Sequence, residues 1–186
     1  MSIRVIAGKA KGRRLKMVPG EGTRPVMDRV KEALFNILSP VVHDSVWLDL
    51  FAGTGSVGIE ALSRGAARAV FVDNARLAVQ TIHANLALTG LAEDAEVVRA
   101  DVFEYLARGP VQPFDVVYIA PPQYQGLWKK ALVQLDEQPD WLNPDGIAVV
   151  QIDPNEQEAV PLDVLETYDE RIYGNTLLWF FERPGE

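Results

Sequence analysis

The sequence predicts a doubly wound α/β fold, a single domain built on a mainly parallel seven-stranded sheet with a β-hairpin and a helix added at its N-terminus. Two observations carry that prediction. Short apolar runs alternate with segments of helical spacing through residues 39–186, the pattern that lays helices on both faces of a parallel sheet. A glycine turn, Gly53-Thr-Gly55-Ser-Val-Gly58, directly follows the first of those runs, and Asp73 and Asp101 stand at the ends of the next two. In such sheets ligands bind beyond the carboxyl ends of the strands.

Composition narrows the chemistry. A chain of 186 residues is long enough for one well-buried core. There is no cysteine, and His43 and His83 are the only histidines, so metal-independent chemistry is expected. No apolar run approaches the roughly 18 residues that span a bilayer, and the N-terminus lacks a signal-peptide core. A soluble, cytoplasmic protein without membrane contact is expected. The net charge of −8 is unevenly spread: residues 1–38 hold nine Lys or Arg against three acids, a local +6, which leaves −14 for the remainder. An acidic body thus carries a basic extension, residues 1–38, before the core of residues 39–186.

In that extension, Ile3–Ala7 and Arg14–Val18 read as strands around a glycine-bracketed turn, Gly8-Lys-Ala-Lys-Gly12. Lys9, Lys11, Arg13 and Arg14 would cluster on this hairpin. Such a cluster either neutralises neighbouring phosphates of RNA or DNA or protects a solvated sheet edge. Thr23-Arg24-Pro25 leads into a helix from about Val26 to Leu38, with Thr23 as its cap. Val30, Leu34, Ile37 and Leu38 form its apolar face; Arg24, Asp28, Arg29 and Glu32 fall on other faces, where ordinary surface charge is as good a reading as function.

Val46–Phe51 suits a buried strand, interrupted by Asp49, an acid that must be hydrogen-bonded or suffer desolvation. The glycines that follow allow a ligand close to the main chain, and the helix they open offers unpaired N–H groups. Gly65 ends that helix. Ala69–Val72 is the second strand, and Asp73 at its end, 20 residues beyond Gly53, is placed to bind ribose hydroxyls or to cap the next helix, Asn74–Leu88. Glu96–Arg99 is a third strand. Asp101 after it either meets an adenine amine or caps the Val102–Ala107 helix, and both can hold. Phe114–Ile119, a fourth strand, runs into Ala120-Pro121-Pro122-Gln123-Tyr124. The prolines either make no more than a rigid turn or, having no N–H groups, leave carbonyls to accept from a substrate at this strand end, and Tyr124 offers a ring for base stacking. Leu127–Leu135 is a helix. Ile147–Ile152 follows as a strand entered through Asn143-Pro-Asp-Gly146, and Val164–Tyr168 and Leu177–Phe181 close the chain as an antiparallel hairpin. Gly53, Gly55, Gly58 and Asp73 also match a nicotinamide-dinucleotide fingerprint.

Asp49-Leu-Phe-Ala-Gly53-Thr-Gly55 resembles the first motif of the Rossmann-like class I S-adenosylmethionine-dependent methyltransferases. Arg4-Val-Ile-Ala-Gly-Lys, Gly12-Arg-Arg-Leu, Thr23-Arg-Pro and Asp28-Arg-Val-Lys-Glu-Ala-Leu-Phe-Asn-Ile-Leu more narrowly resemble the N-terminal signature of the RsmD family, which methylates the exocyclic N2 of a guanine in small-subunit ribosomal RNA. The resemblance spans almost the whole chain. It implies S-adenosyl-L-methionine as cofactor, with Phe51, Ala52, Gly53 and Gly55 under its methionine part and Asp49 near the amino group. Asp73 and Asn74 would take the ribose, and Asp101 and Val102 the adenine. Pro121, Pro122 and Tyr124 would receive the target base, and Lys9, Lys11, Arg13, Arg14 and Arg24 would hold the RNA. The partner implied is ribosomal RNA or the small subunit, met by a monomer. One departure stands out: the family pattern is Asp-Pro-Pro followed directly by Phe or Tyr, whereas here Ala120 replaces the acid and Gln123 displaces the ring. The alternative is a methyltransferase-like protein that binds cofactor and RNA with transfer weakened or lost.

Overall fold

The structure, a computed structural model, describes residues 3–20 and 26–185. Its main sheet has seven strands: β3 (Val46–Leu50), β4 (Arg68–Asp73), β5 (Ala95–Arg99), β6 (Phe114–Ile119), β7 (Leu142–Ile152), β8 (Glu166–Tyr173) and β9 (Thr176–Glu182). They lie in the order β5-β4-β3-β6-β7-β9-β8, with β9 antiparallel to both of its neighbours and every other pair parallel. The order reverses between β3 and β6, which makes the crevice at their carboxyl ends the place where a ligand enters. The predicted class and strand number are those observed.

Among the described residues five α-helices cover the sheet: α1 (Asp28–Val42), α2 (Ser56–Ser63), α3 (Arg76–Thr89), α4 (Val102–Ala107) and α5 (Leu127–Glu137). Alternation along each strand sends side chains to two cores. Trp47, Val116, Tyr118 and Val149 face α1, α2 and α3, with Phe35 stacked on Trp47 at 5.2 Å. Leu48, Leu50, Val117 and Ile119 face α4 and α5 and meet Trp128 and Leu132. Each such side chain contributes about 1.5–3 kcal/mol on burial.

Several boundaries differ from those expected, each for a local reason. The N-terminal strands shrink to β1 (Ile3–Arg4) and β2 (Arg14–Leu15), because the flanking N–H groups of Ile6, Ala7 and Lys16 are taken by side chains of α2 and α3. Helix α1 continues through Pro40 to Val42, whose carbonyl accepts from the Ser45 hydroxyl and backbone N–H. Helix α3 starts at Arg76, since Asp73 holds the Ala75 N–H just before it. Asn143–Gly146 lies inside β7 as an irregularity opposite Asp115, which accepts from Asn143 Nδ2 and Val46 N. Strand β8 starts late because the Asp136 carboxylate holds three successive N–H groups, of Asp163, Val164 and Leu165. Thr23, Arg24 and Pro25, with the capping and RNA-contact roles expected of them, lie outside the described residues.

Candidate active site

The β3–α2 connection is a strained turn held from below. Phe51, Gly53 and Gly55 have φ of 58°, 58° and 79°, and a left-handed conformation at a bulky residue such as Phe51 marks a site where the fold enforces an unfavourable geometry. Ala52 N donates to Val72 O at 3.0 Å and Gly55 N to Ala52 O at 2.8 Å, pinning the turn against β4. Gly58 does not face this turn as a ligand-approach residue. A Cβ there would stand 2.3 Å from the buried Phe71 ring, so its lack of a side chain lets α2 lie against the sheet.

Asp49 is 2% exposed. Its Oδ2 accepts the Gly58 N–H at 3.2 Å, the one hydrogen bond it makes among the described residues. Burial pushes its carboxyl well above the usual range; the Gly58 N–H works against that, and the charge of Asp73 adds to it. A buried carboxylate with acceptor capacity left over is suited to a ligand cation, and an ammonium fits that demand.

Asp73, half-buried, uses its two oxygens on two sides: Oδ2 accepts Gly53 N–H at 2.9 Å and Oδ1 accepts Ala75 N–H at 2.9 Å. It therefore braces the glycine turn and shapes the approach to α3, while each oxygen keeps a further lone pair for a ligand hydroxyl. Asn74 beside it is exposed and its carbonyl accepts from Arg99. Asp101 caps α4, with Oδ1 accepting from Phe103 and Glu104 at 2.9 and 3.0 Å; the capping half of its expected reading is thus observed. Val102 is buried in the core on the α4 side, so only its backbone can face a ligand. Phe103 meets Phe51 edge-on at 6.0 Å and extends an apolar wall from the turn.

Across the crevice, the segment after β6 is open. Pro122, Gln123 and Tyr124 are exposed, and Ala120 and Pro121 are half-buried. Tyr124 adopts φ 60°, its N–H donates to Glu156 Oε1 at 2.8 Å, and its phenol is held above its ordinary pKa chiefly by the hydrogen bond to Asp153. Asp153 and Glu156 follow β7 and form a capping box of their own, so two carboxylates fix the loop that carries the ring.

The basic hairpin is not a loose arm. Ile3, Val5, Ala10 and Leu15 are buried in the core beneath it. Glu60 of α2, fully buried, accepts Ile6 and Ala7 N–H groups at 2.9 and 3.1 Å and pairs with Lys31 at 3.2 Å and Arg64 at 2.8 Å. Lys31, also fully buried, donates to Arg4 O at 2.5 Å and Ser56 Oγ at 3.0 Å. Ser63 bridges Ala7 O and Ala10 N, and Asn85 of α3 clasps both backbone groups of Lys16 and Thr54 O. Sequence reasoning missed these polar residues: Lys31 figures there only as one of the nine cations of the basic extension. Lys9, Lys11 and Arg14 are exposed, Arg13 is exposed and reaches Leu88 O, and Arg4 and Arg14 are paired opposite one another across the strands. Like charges in that register are unfavourable, and Asp28 relieves Arg4 at 3.0 Å. Among the described residues no group of three or more His, Cys, Asp or Glu is arranged to hold a metal ion, and no helix is long and apolar enough to cross a membrane.

A seven-stranded sheet with this reversal, a braced glycine turn and carboxylates at three neighbouring strand ends defines a Rossmann-like methyltransferase. Residues 3–182 match the model of the family described as conserved hypothetical protein 95. The chain is 39% identical to the ribosomal RNA small subunit methyltransferase D of Haemophilus influenzae over 161 residues, covering 86% of this chain and 83% of that one. It is 37% identical to the putative rRNA methyltransferase YlbH of Bacillus subtilis, covering 98% and 100%. The putative methyltransferase yhhF of Escherichia coli superimposes with a TM-score of 0.87 and 34% identity over the whole of both chains. The chain belongs to this family, the RsmD family.

Proposed function

We propose that the protein methylates the exocyclic N2 of a guanine in small-subunit ribosomal RNA, as a monomer in the cytoplasm. S-adenosyl-L-methionine is the methyl donor, and its sulfonium supplies an activated methyl group when bound. Asp49 offers its spare acceptor capacity to the methionine ammonium, the Phe51–Gly55 turn lies beneath that part, Asp73 meets the ribose, and the Asp101 end of β5 meets the adenine. A paired guanine hides its amine, so the base has to leave its stack; Tyr124 provides a ring for it beside the carbonyls of the Ala120–Pro122 segment. The observation that carries this reading is the rigid docking of a cationic hairpin onto α2, the helix that begins at the glycine turn. Phosphates held by Lys9, Lys11, Arg13 and Arg14 are thereby set at a constant distance from the cofactor turn. Incubation with labelled S-adenosylmethionine and unmodified small-subunit RNA or subunits tests it; label mapped to a guanine N2 is expected, and cofactor binding without label in RNA rejects the catalytic claim. Each of Lys9→Ala and Lys11→Ala is expected to lower the salt slope of RNA binding by about 0.7 for single-stranded contacts.

One observation favours a second reading. Ala120 has no side chain to accept from an amine that turns cationic as the bond forms, and one missing interaction of this kind slows transfer by about 10²–10³-fold. On that reading the protein binds cofactor and RNA without turnover, and Ala120→Asp raises labelling sharply.

A further inference from the structure

The end of β6 has a polar neighbour on the next strand. Ile119 pairs with Val150 in parallel register, so one step further Ala120 comes level with Gln151. The two share a face. Tyr118 and Val149 pack in the core on the α1–α3 side and Ala120 packs against it, whereas Val117, Ile119, Ala148 and Val150 belong to the other side. Strand alternation therefore points Gln151 the same way as Tyr118 and Ala120. Tyr118 is 1% exposed, and its hydroxyl donates to Gln151 Oε1. Burial, with the charge of Asp49 adding to it, keeps that phenol protonated. Held this way, the carboxamide oxygen has one lone pair engaged and a second available, and the side chain is only half-buried.

We propose that Gln151 is a catalytic residue whose Oε1, positioned by Tyr118, accepts one N–H of the target amine in place of the side-chain acceptor that Ala120 lacks. This rests on the amine-methylating reading above. The amine nitrogen forms its bond to the methyl carbon while the carbon–sulfur bond breaks and its electron pair stays on sulfur. Nitrogen turns cationic, its N–H groups become stronger donors, and Oε1 stabilises that charge. An amide oxygen is too weakly basic to keep the proton, which passes to water after transfer.

Single-turnover labelling of small-subunit RNA tests the assignment, with cofactor affinity measured by calorimetry and folding by thermal melts. Removing both partners together, in Tyr118→Phe/Gln151→Leu, leaves no buried hydroxyl orphaned and so is designed to keep the fold. A fall of about 10²-fold in the transfer rate is expected with cofactor affinity unchanged, and adding Ala120→Asp to that variant is expected to restore the rate to within about tenfold of wild type. Should the double variant not fold, Gln151→Glu, which retains an acceptor of the same size, is expected to transfer at close to the wild-type rate, and Gln151→Met about 10²-fold more slowly. An undiminished rate without Gln151's acceptor overturns this inference and leaves the methyltransferase reading standing. Inactive wild type with active Ala120→Asp also overturns it, in favour of binding without turnover. If neither labels the RNA, the amine-methylating reading itself fails and takes this inference with it.

Discussion

The two sides of the crevice are built differently. At the ends of β3, β4 and β5 the carboxylates proposed to meet the cofactor are engaged with backbone N–H groups of the crevice itself: Asp49 with Gly58, Asp73 with Gly53 and Ala75, Asp101 with Phe103 and Glu104. At the ends of β6 and β7 the segment that would meet the target base is largely exposed and fixed through one loop, by Glu156 and Asp153 on Tyr124. The cofactor side is set before any ligand arrives, which spares reorganisation when charge develops. The other side stays open, which suits the entry of the base proposed as its target. The basic hairpin belongs with the first kind: its backbone is clamped by buried side chains while its cations point outward.

The largest effect expected is on that clamp. Lys31→Met leaves Glu60 buried with only Arg64 and the two hairpin N–H groups, and the loss in denaturant-measured stability is expected to be about 3–5 kcal/mol. Unchanged stability would show that the hairpin docks through its apolar residues alone. Asp73→Ala removes the brace of Gly53 as well as the proposed ribose acceptor, and S-adenosylmethionine affinity by calorimetry is expected to drop about 10–100-fold. On the target side, Tyr124→Ala is expected to leave the melting temperature and cofactor affinity unchanged while lowering kcat/KM for RNA about tenfold. A loss of cofactor affinity in that variant would break the division between the two sides.

The smallest effect is the most diagnostic of Asp49. Its carboxyl is raised on folding from 3.8, first by burial. A group raised in this way contributes stability below its unfolded value and loses it as pH rises through the folded one. The ligand-free protein is thus expected to lose stability from this residue as pH climbs from 3.8. Asp49→Asn removes that slope in thermal melts across pH and leaves the ligand-free protein no less stable at neutrality, yet binds S-adenosylmethionine more weakly. Identical pH slopes in the two proteins would show that Asp49 stays ionised without its ligand.

Much of the fold is legible because its signals are local. Phe114–Ile119 and Val102–Ala107 are an apolar run and a capped helix whose observed bounds match the expected ones residue for residue. The glycine turn and the acids at Asp73 and Asp101 announce a site by residue type and spacing. The signals that misled are those where a distant partner decides. The helix expected to end at Leu38 runs on through Pro40 to an end capped by Ser45. Ile6, Ala7 and Lys16 read as strand, yet their N–H groups go to Glu60 and Asn85, at least 50 positions away in sequence.

By itself the sequence determined the alternation of strands and helices, the glycine turn with its acids, and the family signature of the extension, since each depends on residues within a few positions of one another. Only the tertiary structure decided that Gly58 serves packing against Phe71, that Lys31, Glu60 and Asn85 are buried clamps, and that Gln151 stands level with Ala120. The reason is physical. The fate of a polar side chain is set by desolvation and by the partners that packing supplies, and neither is encoded within reach of the residue's own neighbours in the chain.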